Sequence, residues 1–198
     1  MLLNISRVVS TFLLVLVAEQ SVSKMKIYQI DSNHTYPSFE ADHMGGLSFW
    51  RGKINSTSGE IRLDKKASVG SVDVIMDMAT IDFGHDKMND HAKNEDMFDV
   101  QNFPTAIFKG RLVDFVDQTP TKVEGQLTLH GVTKPLTLQI VKFKCMFHPF
   151  KMREACGADA RGVIMRDEFG IGYAKMMGFD MKVELRISVE AILSGNVE

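Results

Sequence analysis

The chain has 198 residues, enough for one domain with a substantial core and too few for two ordinary domains. Hydrophobic residues make up 44% and charged residues 24% of the chain, a composition that excludes a disordered or fibrous protein. The formal charge of -2 at pH 7 indicates no strongly basic surface, so nucleic acid is not an expected partner.

The N-terminal residues 1–23 have the pattern of an export signal. Arg7 supplies the positive charge, and residues 8–18 form a mostly apolar run. This run is shorter than the about 20 apolar residues that a membrane-spanning helix needs. Small residues precede Lys24, so we expect cleavage before Lys24, a mature domain of residues 24–198 and no transmembrane anchor after cleavage. A buried N-terminal strand is the alternative interpretation of the same run.

Four segments of the mature chain alternate apolar and polar residues with a period of two. Such alternation predicts antiparallel strands that have one apolar face and one face in water. Turn residues separate these segments, and about eight strands fit between Ile27 and Leu193. The apolar positions of the four segments are Val72, Val74, Met76 and Met78; Val123, Leu127 and Leu129; Leu136, Leu138 and Ile140; and Val183, Leu185, Ile187, Val189, Ala191 and Leu193.

Residues 84–103 interrupt this pattern. They are polar and charged, and Met88, His91, Met97 and Phe98 are spaced like short helical turns. We therefore expect an insert that carries one or two short helices.

Long strands without a second predicted sheet favour a closed barrel, because closure leaves no exposed strand edge. The predicted fold is all-β: an eight-stranded antiparallel barrel with a short helical insert. The interior of an eight-stranded barrel either packs solid or encloses one small ligand. A two-sheet sandwich is the alternative architecture.

The chain has two cysteines, Cys145 and Cys156, with ten residues between them. In an exported protein such a pair is a candidate for one local disulfide. A metal-binding pair or a redox couple are the other interpretations, although no CxxC or histidine-rich spacing accompanies them.

Several motifs together resemble the YceI-like family of polyisoprenoid-binding proteins. They are Asp31-Ser32-Asn33-His34, Phe39-Glu40-Ala41-Asp42-His43-Met44, Arg51-Gly52, Ser58-Gly59, Asp90-His91, Met97-Phe98-Asp99-Val100, Phe103-Pro104, residues 125–135 (GQLTLHGVTKP) and residues 166–171 (RDEFGI). The resemblance implies a lipocalin-like barrel whose hydrophobic interior holds a long-chain isoprenoid or fatty lipid, in a periplasmic protein. Part of that family also has a cysteine pair at the positions of Cys145 and Cys156.

Two departures from the family pattern concern ligand contacts. Asn89 stands where the pattern usually has arginine, and Asp167-Glu168 replaces Ser-Asp. These differences bear on a specific head-group contact rather than on the fold.

Candidate ligand contacts follow from the strand face on which each side chain lies. His43 follows Phe39 and Ala41 at alternate positions, so it lies on the same face and would point into the barrel, where it could orient a polar lipid head. A histidine buried in the core is the alternative. Arg166 lies two residues after Ile164 and so on the same strand face, and its guanidinium offers forked donors for a phosphate or carboxylate. The alternative interpretation of Arg166 is an ion pair at the strand end. The candidate apolar lining, for which plain core packing is the alternative, comprises Phe39, Phe49, Trp50, Met76, Met97, Phe98, Phe108 and Phe169.

Catalysis is not expected, because no Gly-x-Ser-x-Gly nucleophile motif is present. His85, Asp86, Asp90 and His91 form the densest His/Asp group, but they lack an HExxH or HxH spacing, so no metal site is predicted. Non-covalent haem carriage through His43 or His91, or metal binding without catalysis, is the alternative function. No cofactor other than a bound lipid is expected, and the sequence leaves open whether the protein forms a homodimer.

Overall fold

The computed structural model describes residues 24–196, and the expected export signal in residues 1–23 lies outside them. The first six strands are β1 (Lys26–Ile30), β2 (Tyr36–His43), β3 (Ser48–Ile54), β4 (Thr57–Asp64), β5 (Val69–Asp77) and β6 (Ile81–Asp82). Helix α1 (Asp86–Lys93) follows, and then β7 (Thr105–Val116), β8 (Thr119–Leu129), β9 (Val132–His148), β10 (Arg153–Met165) and β11 (Lys182–Asn196). Short 3₁₀ turns connect several of these elements.

The strands close into a barrel. Antiparallel pairing runs from β1 through β4, β5, β7, β8, β9, β10 and β11, and β11 pairs again with β1. Strand β11 is long enough to serve two partners: Ala191 lies opposite Ile30 of β1, and Val183 lies opposite Ala41 of β2. Strands β1 and β2 therefore act as one interrupted strand. The predicted eight-stranded barrel is confirmed, and the ring excludes the two-sheet alternative.

The predicted helical insert is present and lies at one end of the barrel. His85 caps α1, since its Nδ1 accepts a hydrogen bond of 3.3 Å from the N–H of Met88. The Asn89 side chain fastens the helix to the barrel: its oxygen accepts from the N–H of Phe83 at 2.7 Å, and its nitrogen donates to Asp82 at 3.1 Å. Ala92 of this helix is fully buried against the barrel. Within residues 24–196, no helix is long and apolar enough to cross a bilayer.

Buried side chains occupy the opposite end of the barrel, here called the floor. The buried side chains of Tyr28 and Leu63 lie there, and the Glu154 carboxylate accepts hydrogen bonds from Lys26 and from the Tyr28 hydroxyl. Burial, together with the neighbouring Glu154, raises the pKa of the Tyr28 hydroxyl. Burial opposes the ionisation of Glu154, but the bond and charge of Lys26 and the charge of Lys65 outweigh it and lower the pKa of Glu154. The charged Glu154 carboxylate at the floor is therefore paired with Lys26 and Lys65.

The predicted disulfide between Cys145 and Cys156 is confirmed. These residues are direct partners in the β9–β10 ladder, and their sulfur atoms are 2.03 Å apart. The bond ties β9 and β10 together near the floor, where Cys156 is buried.

Replacing both cysteines by serine is expected to lower the free energy of unfolding by about 3 kcal/mol, because the closed loop would regain its entropy in the unfolded chain. Urea unfolding of the oxidised protein and of the Cys145→Ser/Cys156→Ser variant measures the difference. The reduced parent protein is the control and should unfold at the midpoint of the variant. Equal midpoints for the oxidised parent and the variant would show that the bond adds no stability.

Candidate ligand-binding cavity

An elongated cavity of about 470 Å³ runs along the inside of the barrel. This volume falls in the range of small-molecule binding sites. Along β10 its lining extends from Ala158 through Ile164 to Arg166 at the strand end, which corresponds to about 26 Å at 3.3 Å per residue. Val72, Leu138 and most of the other lining residues are apolar. The interior is therefore a narrow apolar channel.

The bore stays open because large inward side chains lie flat against glycines of the wall. Phe39 is paired with Gly52, and a methyl group on Gly52 would lie only 2.5 Å from Cζ of Phe39. Gly110 and Gly125 face each other across β7 and β8, and methyl groups there would lie 3.3 and 2.9 Å from ring atoms of Phe108. Side chains at these three glycines would push both aromatic rings toward the barrel axis.

Three lining residues mark the mouth. Met44, Tyr173 and Met177 border the cavity and are between 45 and 73% exposed, whereas the other described lining residues are buried or half-buried. Met44 lies in the β2–β3 turn, and the other two lie in the loop between β10 and β11, here called the mouth loop (residues 166–181). His91 of α1 packs edge-on against Tyr173, with ring centroids 4.7 Å apart. The cavity thus opens between this turn, the mouth loop and the helix.

Asp42 fastens the turn to the mouth loop. Its carboxylate accepts hydrogen bonds from the N–H groups of Gly45 (2.9 Å) and Gly46 (2.6 Å) in the turn and of Asp180 (3.0 Å) in the loop. The Asp180 bond first, and the Gly46 and Gly45 bonds with it, hold the pKa of Asp42 below its ordinary value. The charged carboxylate is therefore the form that joins the two sides of the mouth.

Acid should loosen this link. A carboxyl whose pKa is lowered in the folded state stabilises the fold above its ordinary pKa, and the contribution disappears as the pH falls through the lowered value. In an NMR titration, the amide signals of Gly45, Gly46 and Asp180 should shift together with one midpoint below the ordinary value of 3.8. The Asp42→Asn variant is the control, in which this shared titration should vanish. Independent midpoints for the three amides in the parent protein would contradict the assignment.

Arg166 is buried at the mouth and holds the loop from inside. Its two terminal nitrogens donate to the carbonyl oxygens of Ile171 (3.0 Å) and Tyr173 (2.8 Å). Burial lowers the pKa of the guanidinium, although Asp167, Asp42 and Asp180 act in the opposite direction. Among the described residues no carboxylate lies within ion-pair distance of it, so its charge is not directly paired. The alternative interpretation of Arg166, an ion pair at the strand end, is therefore not seen among the described residues.

Aromatic rings surround His43 inside the mouth. Its ring lies 5.0 Å from that of Trp50 and 5.8 Å from that of Phe179, measured between centroids. Trp50 in turn is 6.3 Å from Phe83. His43 lines the cavity as its strand parity indicates, and this cluster places the single tryptophan of the chain where a ligand would change its fluorescence.

Thr57 is a polar group that the sequence patterns do not single out. It lines the cavity, is buried, and its hydroxyl has no hydrogen-bond partner within the described structure. An unpaired buried hydroxyl is costly, so it offers a contact to a polar or hydrated part of a ligand. Glycines at inward strand positions, such as Gly52, Gly110 and Gly125, are the sequence signal that could have indicated an open bore.

Eight of the ten candidate ligand residues line the cavity: Phe39, His43, Trp50, Met76, Met97, Phe98, Phe108 and Arg166. Phe49 and Phe169 do not line it. Phe49 is 63% exposed, because it adjoins Trp50 on one strand and neighbouring side chains point to opposite faces. Phe169 is buried in a 3₁₀ turn away from the bore, where its carbonyl oxygen contacts Nδ1 of His130 at 3.0 Å.

The His/Asp group of the insert is not brought together as a ligand set. Its first histidine caps α1, whereas His91 lies against Tyr173. Within residues 24–196, only Cys145, Glu154 and Cys156 place three potential metal-ligand atoms within 4.8 Å of one another. The two sulfurs of that group are joined to each other, so the structure provides no prepared metal centre in this part of the chain.

Known proteins are similar to this chain in sequence or in fold. A UPF0312 protein of Vibrio parahaemolyticus is 35% identical over 115 residues, which is 57% of this chain and 60% of that relative. Crystallised BcnA of Burkholderia cenocepacia has a TM-score of 0.65 at 20% identity, over 82% of this chain and 99% of that one. A polyisoprenoid binding domain from Saccharophagus degradans, implicated in plant cell wall breakdown, has a TM-score of 0.60 at 13% identity, over 84% and 98%.

At these identities the two solved structures establish a shared fold. The sequence also matches the family model for the YceI-like domain. The match spans residues 28–191, from the floor residue Tyr28 to Ala191 of the last strand. The chain therefore belongs to the family of proteins with a YceI-like domain.

Proposed function

We propose that the protein binds one long-chain apolar lipid, an isoprenoid by preference, inside the barrel and carries it without chemical change. The observation that supports this most directly is the form of the cavity: it is long and apolar, exposed residues border it at the mouth, and buried side chains occupy the floor. A compact polar ligand would leave most of such a surface without suitable contacts.

The energetics favour a hydrocarbon tail. If about fifteen methylene-sized groups leave water at about 0.8 kcal/mol each, the gain is about 12 kcal/mol. Association costs on the order of 4 to 15 kcal/mol are set against it. Burial of the tail can therefore supply most of the affinity, and polar residues are needed chiefly to select the head group.

The polar residues of the cavity are concentrated at the mouth. Arg166, His43, His91 and Tyr173 all border that end, and the positive charge of Arg166 has no direct partner among the described residues. We place the lipid head beside Arg166 and the end of the tail toward the floor. An anionic head group would complete the pairing of this charge.

The comparisons and the N-terminal pattern agree with a periplasmic lipid carrier. The structure of the Saccharophagus degradans domain bears the description polyisoprenoid binding, and its fold is shared here. The N-terminal residues have the pattern of an export signal, which would deliver the protein to the periplasm as a soluble carrier, either as a monomer or as a homodimer.

Native mass spectrometry of the protein purified gently from an expressing bacterium tests the proposal. We expect a mass excess that extraction identifies as one prenyl lipid, and quenching of Trp50 fluorescence when a prenyl phosphate is added to stripped protein. A bare chain mass together with no quenching and no rise in melting temperature would overturn it. A Soret band or stoichiometric metal would instead support the haem or metal alternative.

A further inference from the structure

The β9–β10 hairpin carries a concentrated positive charge at its tip. Residues 142–153, here called the basic tip, contain four cations and no carboxylate, in a chain whose formal charge is -2. The cations are Lys142, Lys144, Lys151 and Arg153. Strand β9 pairs with β8 only as far as Gln139 and beyond that point pairs with β10, so the basic tip extends past the neighbouring strand.

Large apolar side chains are exposed on the same basic tip. Phe150 is 91% and Met152 70% exposed, and Met146 and Phe147 are also more than half exposed. Lysines along a free strand edge can be explained as protection against unwanted strand pairing. That explanation does not extend to two exposed phenylalanines and two exposed methionines.

Most of the tip's charge is available. Within the described structure Lys142 and Lys144 form no ion pair, and Lys151 approaches Asp31 only at 4.0 Å. Arg153 donates to the carbonyl oxygen of Leu193 rather than to a carboxylate. The next residue in sequence, Glu154, is already paired with cations of the barrel floor.

We propose that the basic tip docks on the surface of a bilayer that contains anionic phospholipids. Exposed aromatic and methionine side chains beside lysine and arginine are the combination that inserts into a lipid interface while pairing with its head groups. Phe150 and Met152 project from the turn, and Met146 and Phe147 from the end of β9, so the apolar side chains lie at the extremity of the hairpin, where they can enter a fluid surface.

The mouth of the barrel also exposes apolar side chains, but it lacks this charge. Met176 is almost fully exposed in the mouth loop, but the same end of the barrel holds Asp42 and Asp180, and Lys175 is paired with Asp167. An anionic surface therefore favours the opposite end of the molecule. Docking by the basic tip leaves the mouth facing the water and free to exchange a ligand. The proposal does not depend on what the cavity binds.

Vesicle flotation tests the proposal, with the N-terminal segment kept identical in all samples. The parent protein should float with vesicles of equal parts phosphatidylcholine and phosphatidylglycerol, should not float with pure phosphatidylcholine, and should be released by salt. The Lys142→Gln/Lys144→Gln variant should partition about 25-fold less, from about fivefold for each cation. Phe150→Ser should weaken partitioning at least about tenfold through its lost insertion.

Two variants serve as matched controls. Lys87→Gln/Lys93→Gln removes two cations from the helical insert, and Met176→Ser removes an exposed apolar side chain from the mouth; both should partition like the parent protein. Thermal melting should show that all four variants are folded. Equal binding to both vesicle types, or an equal loss in the control variants, would overturn the proposal. Capture of an acidic protein or a second copy by the tip, without vesicle binding, would also overturn it.

Discussion

Replacing Ala160 by phenylalanine should lower the affinity for a long prenyl chain about 100-fold while the barrel remains folded. Ala160 is a small buried residue in the middle of β10, and it faces the bore. A ring there would exclude about four methylene groups of the tail, and at about 0.8 kcal/mol each the loss is about 3 kcal/mol. Quenching of Trp50 fluorescence by a prenyl phosphate, titrated into stripped protein, measures the change.

Val163→Phe is the matched control, because Val163 lies on the same strand and is half exposed on the outer face. It adds a ring of the same size outside the bore, so its affinity should equal that of the parent protein. The two variants should also melt within a few degrees of each other. Unchanged affinity in Ala160→Phe would mean that the ligand does not lie in the barrel.

Replacing Arg166 by methionine should destabilise the protein by about 3 kcal/mol and release the mouth loop. Methionine keeps an unbranched apolar stem but cannot donate to the carbonyl oxygens of Ile171 and Tyr173. Hydrogen bonds from a charged donor contribute about 1.5 to 3 kcal/mol each, and their loss leaves acceptors unpaired near the cavity. Urea unfolding measures the stability, and limited proteolysis reports on the loop.

Arg166→Lys separates positive charge from forked geometry. Lysine can donate to one of the two carbonyl oxygens, so its stability should fall between those of the parent and the methionine variant. Cleavage in residues 172–178 should be fastest in Arg166→Met. If the methionine variant matched the parent in both stability and cleavage, the two hydrogen bonds would not be what orders the loop.

The fold could be predicted from the sequence to a large extent, because the period-two alternation is a local signal. Runs such as Leu136, Leu138 and Ile140 appear as inward positions of β9. The local pattern could not show that β1 pairs with β11 and closes the ring, since that pairing joins residues far apart in the chain. Closure is expected instead because a closed ring leaves no exposed strand edge, and the resemblance to the family implies the same barrel.

The site was predictable where it lies on regular strands and not where it lies on turns. Strand parity correctly places Phe39 and His43 inside, whereas treating Phe49 and Trp50 as both inward ignored the same rule. Met44, Tyr173 and Met177 belong to irregular segments, which have no periodicity to reveal which side chains border the mouth. The partners of Arg166 are backbone carbonyls, and residue types alone carry no information about them.

A crystal structure of the protein, purified from its own host without lipid removal, tests the central claim most directly. The account predicts continuous electron density of a long lipid chain along the bore, from Arg166 and Trp50 at the mouth toward Tyr28 at the floor. A bore filled by rearranged side chains, or occupied throughout by ordered water, would contradict it.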